Sequence, residues 1–203
     1  MKNIRLLLFV LLLYANVHSQ NKNMNPYIED LKLKGKANAI KLAYTLIEEK
    51  QPAIIINPKD FEIKVLANSK EIVVQFRRII RYVPLRFQTK NQIKYDITVN
   101  LIQNMISPFD DVLDSTFYIP TDKDLEAIAF VQKNFGIFSP DFETTVYEED
   151  DYYAIHMENQ YSYGRYKINK KTGEEEPSIQ GSYLPIPKTL FSPEADVLLE
   201  INH

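Results

Sequence analysis

The chain has 203 residues, with 27 acidic against 24 basic side chains for a net charge of −3, and it contains no cysteine. The acidic balance argues against nucleic acid as a partner. The missing cysteine excludes disulfide staples and a lipid-acylated cysteine, and five glycines are few for phosphate-cradling loops.

Residues 1–19 read as a Sec-type bacterial signal peptide. Lys2 and Arg5 form a basic start, a ten-residue apolar run (6–15) follows, and Val17 and Ser19 supply the small residues before a cleavage point. The expected location is periplasmic or secreted. No later run is long enough to span a membrane, and the mature protein is expected not to be a lipoprotein. Removing Lys2 and Arg5 leaves 22 bases against 27 acids, a net charge of about −5.

A first helix is expected where Ile40, Ala43, Tyr44 and Ile47 recur at i, i+3, i+4, i+7. Residues 60–76 (DFEIKVLANSKEIVVQF) then alternate with period two, which predicts a hairpin with Phe61, Ile63, Val65, Ile72, Val74 and Phe76 inward. Arg77, Arg78, Arg81 and Arg86 form a basic cluster with aromatics between. It suits cross-strand pairing with acids or an anionic partner. A third strand is expected over 93–101, with Ile93, Tyr95, Ile97, Val99 and Leu101 on one side. In the following connection Asp110, Asp111 and Asp114 spell D-D-x-x-D, a pattern similar to the magnesium motif of isoprenoid synthases. There it lies on a helix of an all-α fold; here local capping accounts for it.

Thr121 with Asp124 predicts a capping box. Leu125, Ile128, Val131 and Phe135 continue as a helical stripe, and Gly136 fits a left-handed end. Residues 141–157 (DFETTVYEEDDYYAIHM) predict a second hairpin. Its turn carries Glu148, Glu149, Asp150 and Asp151 between Tyr147 and Tyr152, with His156 on the outer face. A calcium loop needs alternating oxygen ligands and a glycine at the bend, and neither is present. The mature chain has two histidines, His156 and His203, too few for a histidine-based zinc site. A third strand near 161–170 ends in the turn Lys170-Lys171-Thr172-Gly173, and 197–201 (VLLEI) offers a closing strand.

Residues 60–76 and 141–157 align without a gap at an offset of 81 and share Asp-Phe-Glu. Tyr166 and Ile168 echo Tyr95 and Ile97 at an offset of 71. The expected fold is α+β: two tandem helix-plus-antiparallel-sheet units over 26–105 and 121–187, after the leader 1–19 and before a tail 188–203. The second copy, 119–174, resembles NTF2-fold immunity proteins and PepSY-like domains, small exported bacterial modules. Ala127-Ile128-Ala129, Tyr166 to Ile168, and Lys170 to Gly173 carry the resemblance. It implies an NTF2-like, cystatin-like or PepSY-like fold and brings no catalytic residues with it.

No nucleophile motif, P-loop or dinucleotide fingerprint is present. The expectation is a non-catalytic exported binding module (an inhibitor, immunity or envelope accessory protein) without cofactor or metal, and with a protein or peptide of the envelope as partner. Its candidate surface comprises Tyr147, Glu148, Glu149, Asp150, Asp151, Tyr152 and His156, with Arg77, Arg78 and Arg81 as a second patch. Two alternatives stand beside it: a hydrolase or isomerase with a carboxylate-lined pocket, for which Asp96 and Glu143 are candidates, and an envelope component recognising glycans.

Overall fold

A computed structural model describes residues 25–87, 93–111, 116–183 and 198–201. The expected leader and most of the tail lie outside them. The fold is α+β; the described residues form two α-helices, two five-stranded sheets and a two-stranded parallel pair. Neither helix is long and apolar enough to cross a membrane.

Helix α1 (Pro26–Lys50) starts at Asn25, whose side chain accepts from the Tyr27 N–H at 3.0 Å, with Pro26 at the first helical position. It kinks at Gly35, where φ is +78°, a conformation that favours glycine. Its buried stripe is Ile28, Leu31, Ala39, Ala43 and Ile47. The expected Ile40 and Tyr44 flank that stripe, half-buried.

The strands in chain order are β1 (Phe61–Ala67), β2 (Ile72–Arg78), β3 (Ile80–Val83), β4 (Ile93–Lys94), β5 (Ile97–Asn100), β6 (Met105–Ser107) and β7 (Thr116–Phe117). After helix α2 (Asp122–Phe135) come β8 (Glu143–Glu148), β9 (Tyr152–Glu158), β10 (Ser162–Asn169), β11 (Glu175–Ser182) and β12 (Leu199–Glu200). The first sheet runs β12-β1-β2-β5-β6, all antiparallel, and its core packs Val65, Val74, Phe76, Ile97 and Val99 with the α1 stripe. The second runs β11-β10-β9-β8-β3, with a core of Tyr82, Tyr118, Val131, Val146, Ile155 and Ile168 beside α2.

Both hairpins form, and they share a register. Val65 faces Val74 as Val146 faces Ile155, and Lys64 faces Gln75 as Thr145 faces His156. The third strands depart from the expected offset of 71. Val74 pairs with Val99 and Ile155 with Tyr166, so Tyr166 stands where Val99 does, not where Tyr95 does. The expected 93–101 strand is also broken. Asp96 leaves the ladder to accept the Arg78 N–H at 2.9 Å and to pair with Arg81 at 2.7 Å, which separates β4 from β5.

A second difference lies just upstream. Ile80 and Tyr82 point inward and Arg81 outward, as a strand requires, and β3 joins the second sheet parallel to β8. The chain thus passes from one sheet to the other through Ile79, so residues 80–83 of the first expected unit lie in the sheet of the second. The Thr121–Asp124 capping box forms. Gly136 ends α2 at φ +114° and ψ −166°, a glycine conformation but not the left-handed helical one expected. β11 has no counterpart among the expected strands. β12 takes part of the closing strand, and the Ile201 N–H donates to the Val65 carbonyl at 2.8 Å.

Candidate functional site

The acidic run divides. Strand alternation places Thr144, Val146 and Glu148 on the helix side of β8 and Glu143, Thr145 and Tyr147 on the other. Glu148 therefore turns inward and is not part of the solvated tip. It accepts from the Leu85 N–H at 3.1 Å and from Lys170 Nζ at 3.2 Å, and the buried Tyr82 hydroxyl bonds it too. Burial alone would raise its pKa, but these donors hold it below the usual glutamate value. Asp150 and Asp151 are exposed and Glu149 half-buried. The turn is closed by backbone, with Glu149 N–H to the Tyr152 carbonyl at 3.0 Å and Lys170 N–H to the Asp151 carbonyl at 2.9 Å.

The outer face of the second sheet gathers the tyrosines. The Tyr147 ring lies against His156 with centroids 4.7 Å apart, and the Lys167 ammonium sits 4.5 Å above the Tyr152 ring. Burial first, then repulsion from Arg165, lowers the His156 pKa, with Glu158 opposing, so the imidazole is neutral at neutral pH. Glu143, Thr145, Tyr147, His156, Glu158 and Arg165 enclose a hollow of ≈250 Å³. It shares Glu143 and Glu158 with a larger concavity of ≈650 Å³, which adds Arg77, Asp141, Tyr161 and Tyr183. Tyr161 is 67% exposed and Tyr183 46%.

Glu143 and Glu158 stand directly opposite each other across β8 and β9. Like charges at facing strand positions repel. The equivalent pair in the first hairpin is Glu62 with Arg77, joined at 2.6 Å. Arg81 reaches Glu143 at 3.0 Å, whereas among the described residues Glu158 receives a single long contact, 3.5 Å from the Tyr183 hydroxyl. The two concavities thus carry a facing acidic pair, with Arg81 bonded to Glu143, Arg77 and Arg165 also in their walls, and two exposed aromatic rings.

The arginine patch disperses. Arg77 is held by Glu62 and by the Pro140 carbonyl. Arg81 is shared by Asp96 and Glu143; burial alone would lower its pKa, and the two acids raise it overall. Arg78 is buried at the seam between the sheets. Asp96 and Glu143, the acids singled out for a catalytic pocket, are both paired with Arg81, with side-chain accessibilities of 39% and 46%. Asp110 accepts the Ile106 N–H at 2.7 Å and pairs with Lys50, while Asp111 accepts from the Ser107 hydroxyl at 2.6 Å; Asp114 lies outside the described residues. Among the described residues no three His, Asp or Glu side chains converge as a metal-ligand group.

Sequence reasoning missed a cleft of ≈410 Å³ between α2 and the inner face of the second sheet. Asp124, only 2% exposed, closes the α2 cap and is forked by Arg86, whose Nη1 lies 2.7 Å away. Burial opposes ionisation of Asp124, but Arg86 and the Thr121 N–H overcome it and lower its pKa. Tyr82, Glu148 and Lys170 complete the cleft. Glu148 was expected in the turn, although one more step of the Thr144, Val146 alternation would have placed it inward; nothing local signals Arg86 as the partner of Asp124.

Comparison with protein-family models, curated proteins and solved structures gives no match for this chain.

Proposed function

We propose that the protein is a non-catalytic, exported binding module whose recognition surface is the open face of the second sheet. Its partner is an envelope protein or peptide that presents a basic side chain. The observation that carries this reading is the facing pair Glu143 and Glu158, set beside Tyr161 and Tyr183 where the first hairpin has an ion pair. A facing acidic pair costs stability in the free protein. A lysine or arginine from a partner would relieve it and gain from the aromatic rings beside it. The shared register of the hairpins supports duplication of an ancestral unit, with the second copy's outer face diverged toward recognition.

The enzyme alternative draws on the inner cleft, lined by the exposed Glu126 and by two less exposed carboxylates, Asp124 and Glu148. Both are held ionised by cations, so neither retains a proton to donate at neutral pH, and a carboxylate with a lowered pKa is a poor base. The binding reading is therefore preferred.

The test uses mature protein against its own envelope fraction, with Glu158→Gln, and Tyr161→Ala with Tyr183→Ala, as variants. A partner retained by the native protein and lost by both variants, each melting no lower than the native protein, supports the surface. Equal retention by all three rejects it. Retention of polysaccharide in place of protein moves the reading to a glycan-binding component.

A further inference from the structure

A second cleft, of ≈230 Å³, opens at the seam between the sheets and is independent of the open face. One side of it is apolar: Ile80 and Phe138 are buried, Ile128 half-buried, and Leu125 and Ile137 are 47% and 100% exposed; Lys59, Asp60, Arg78 and Gln132 supply the polar part. Two exposed aliphatic side chains at one cleft mark a surface fitted for an apolar group.

Arg78 also lines this cleft and is 9% exposed. Its guanidinium carbon lies 4.5 Å from the Phe61 ring centroid and 5.5 Å from that of Tyr118. Its backbone N–H is used by Asp96, yet no hydrogen bond or ion pair joins the guanidinium to another described residue, and Nε is sealed from solvent without a partner. A buried cation is costly unless paired, and ring faces offset only part of that cost. Ring contacts use none of a guanidinium's N–H donors, which form a fork that matches a carboxylate. Burial lowers the Arg78 pKa, with Asp60, Tyr118, Asp96 and Tyr95 acting against it.

The other charges in the cleft are Lys59 and Asp60. Asp60 disfavours a doubly charged anion such as a phosphate monoester, and the volume falls below the roughly 300–1,000 Å³ of drug-sized sites. We propose that the seam cleft binds a small apolar monocarboxylate, its carboxylate forked on Arg78 and its tail against Leu125, Ile128 and Ile137.

Calorimetric titration of the whole mature protein with hexanoate, hexanol and inorganic phosphate tests this. The Arg78 Nε–H resonance is followed by NMR in parallel. Hexanoate is expected to bind and to shift that resonance. Hexanol is expected to bind about tenfold or more weakly, because it lacks the charge-assisted hydrogen bonds. Arg78→Gln should abolish hexanoate binding. Should that variant fail to fold, Leu125→Asp and Ile137→Asp, at exposed positions, should weaken it, whereas Asp60→Asn should strengthen it. Equal binding of hexanol, no heat with hexanoate, an unmoved Nε–H resonance, or displacement of hexanoate by phosphate would each overturn the proposal.

Discussion

The hairpin of the first sheet and the hairpin of the second pair their residues in the same register and then use their outer faces in opposite ways. On the first, Glu62 is paired with Arg77 and with Lys64 at 3.2 Å. On the second, the equivalent positions hold Glu143 facing Glu158, with His156 and Tyr147 where the first has Gln75 and Leu66. The turns differ as well. Asn68 closes the first by accepting from the Lys70 and Glu71 N–H groups at 2.8 and 2.9 Å, a device repeated at Asn159 and Asn169. The acidic turn lacks such a cap: the side chains of Glu149, Asp150 and Asp151 make no hydrogen bond to a described residue. The first hairpin pairs Glu62 and caps its turn internally, whereas the second leaves its turn acids to be satisfied from outside.

The sharpest test of the comparison is whether the two halves stand or fall together. Phe76 is fully buried with its ring edge-on to Tyr44 and Phe61, and Ile155 is fully buried in the second core. Phe76→Ala should cost about 3–5 kcal/mol and Ile155→Ala about 2–5 kcal/mol. Because the chain enters the second sheet through Ile79 with no linker, each variant should lower one common thermal transition. Two transitions by calorimetry, with each variant moving only its own, would separate the halves.

A smaller effect distinguishes the acids of the run TTVYEEDDYY. Glu148→Gln should cost about 1–2 kcal/mol at neutral pH, since it weakens bonds to Leu85 and Lys170 in a side chain that is 25% exposed. Its folded-state pKa lies below the ordinary value of 4.5, so the contribution is present in full above that value. It is lost as the pH falls through the folded-state pKa. Urea titrations should therefore show native protein and variant converging in acid, while Asp150→Asn changes little at any pH. Equal losses at both positions would return Glu148 to the solvated tip.

What the sequence revealed follows from how local each signal is. The two hairpins, the α2 capping box and the Lys170–Gly173 turn are written in neighbouring residues and were legible. The alternation of Ile80 and Tyr82 with Arg81 was equally local, but three arginines drew the segment toward a basic patch. Its partner, β8, lies some sixty positions on in a parallel pairing that no local pattern announces. A separation of 38 positions likewise hid the bond from Arg86 to Asp124. β11 was invisible for another reason: EEPSIQGS has no alternation, because Pro177 falls where the register slips between Arg165 and Lys167, and such a break suits an edge strand. Of the candidate surface, Tyr147, Tyr152 and His156 do share one face. The facing of Glu143 and Glu158 needed the register itself.

The finest test uses that register directly. Arg77 and Glu158 occupy equivalent positions, each opposite a glutamate. Removing charge from the first breaks an attraction; removing it from the second relieves a repulsion. Arg77→Gln should lower stability, and Glu158→Gln should raise it, each by about 0.2–0.5 kcal/mol at low ionic strength, since exposed pairs are screened by water. Salt should shrink both effects toward zero. Opposite signs that collapse together would identify the facing acids as a cost carried by the free protein. Such a cost is expected of a surface whose positive partner arrives from another molecule. If Glu158→Gln instead lost stability, Arg81 and Tyr183 would already satisfy the acids, and the open face would have no electrostatic reason to recruit a basic group.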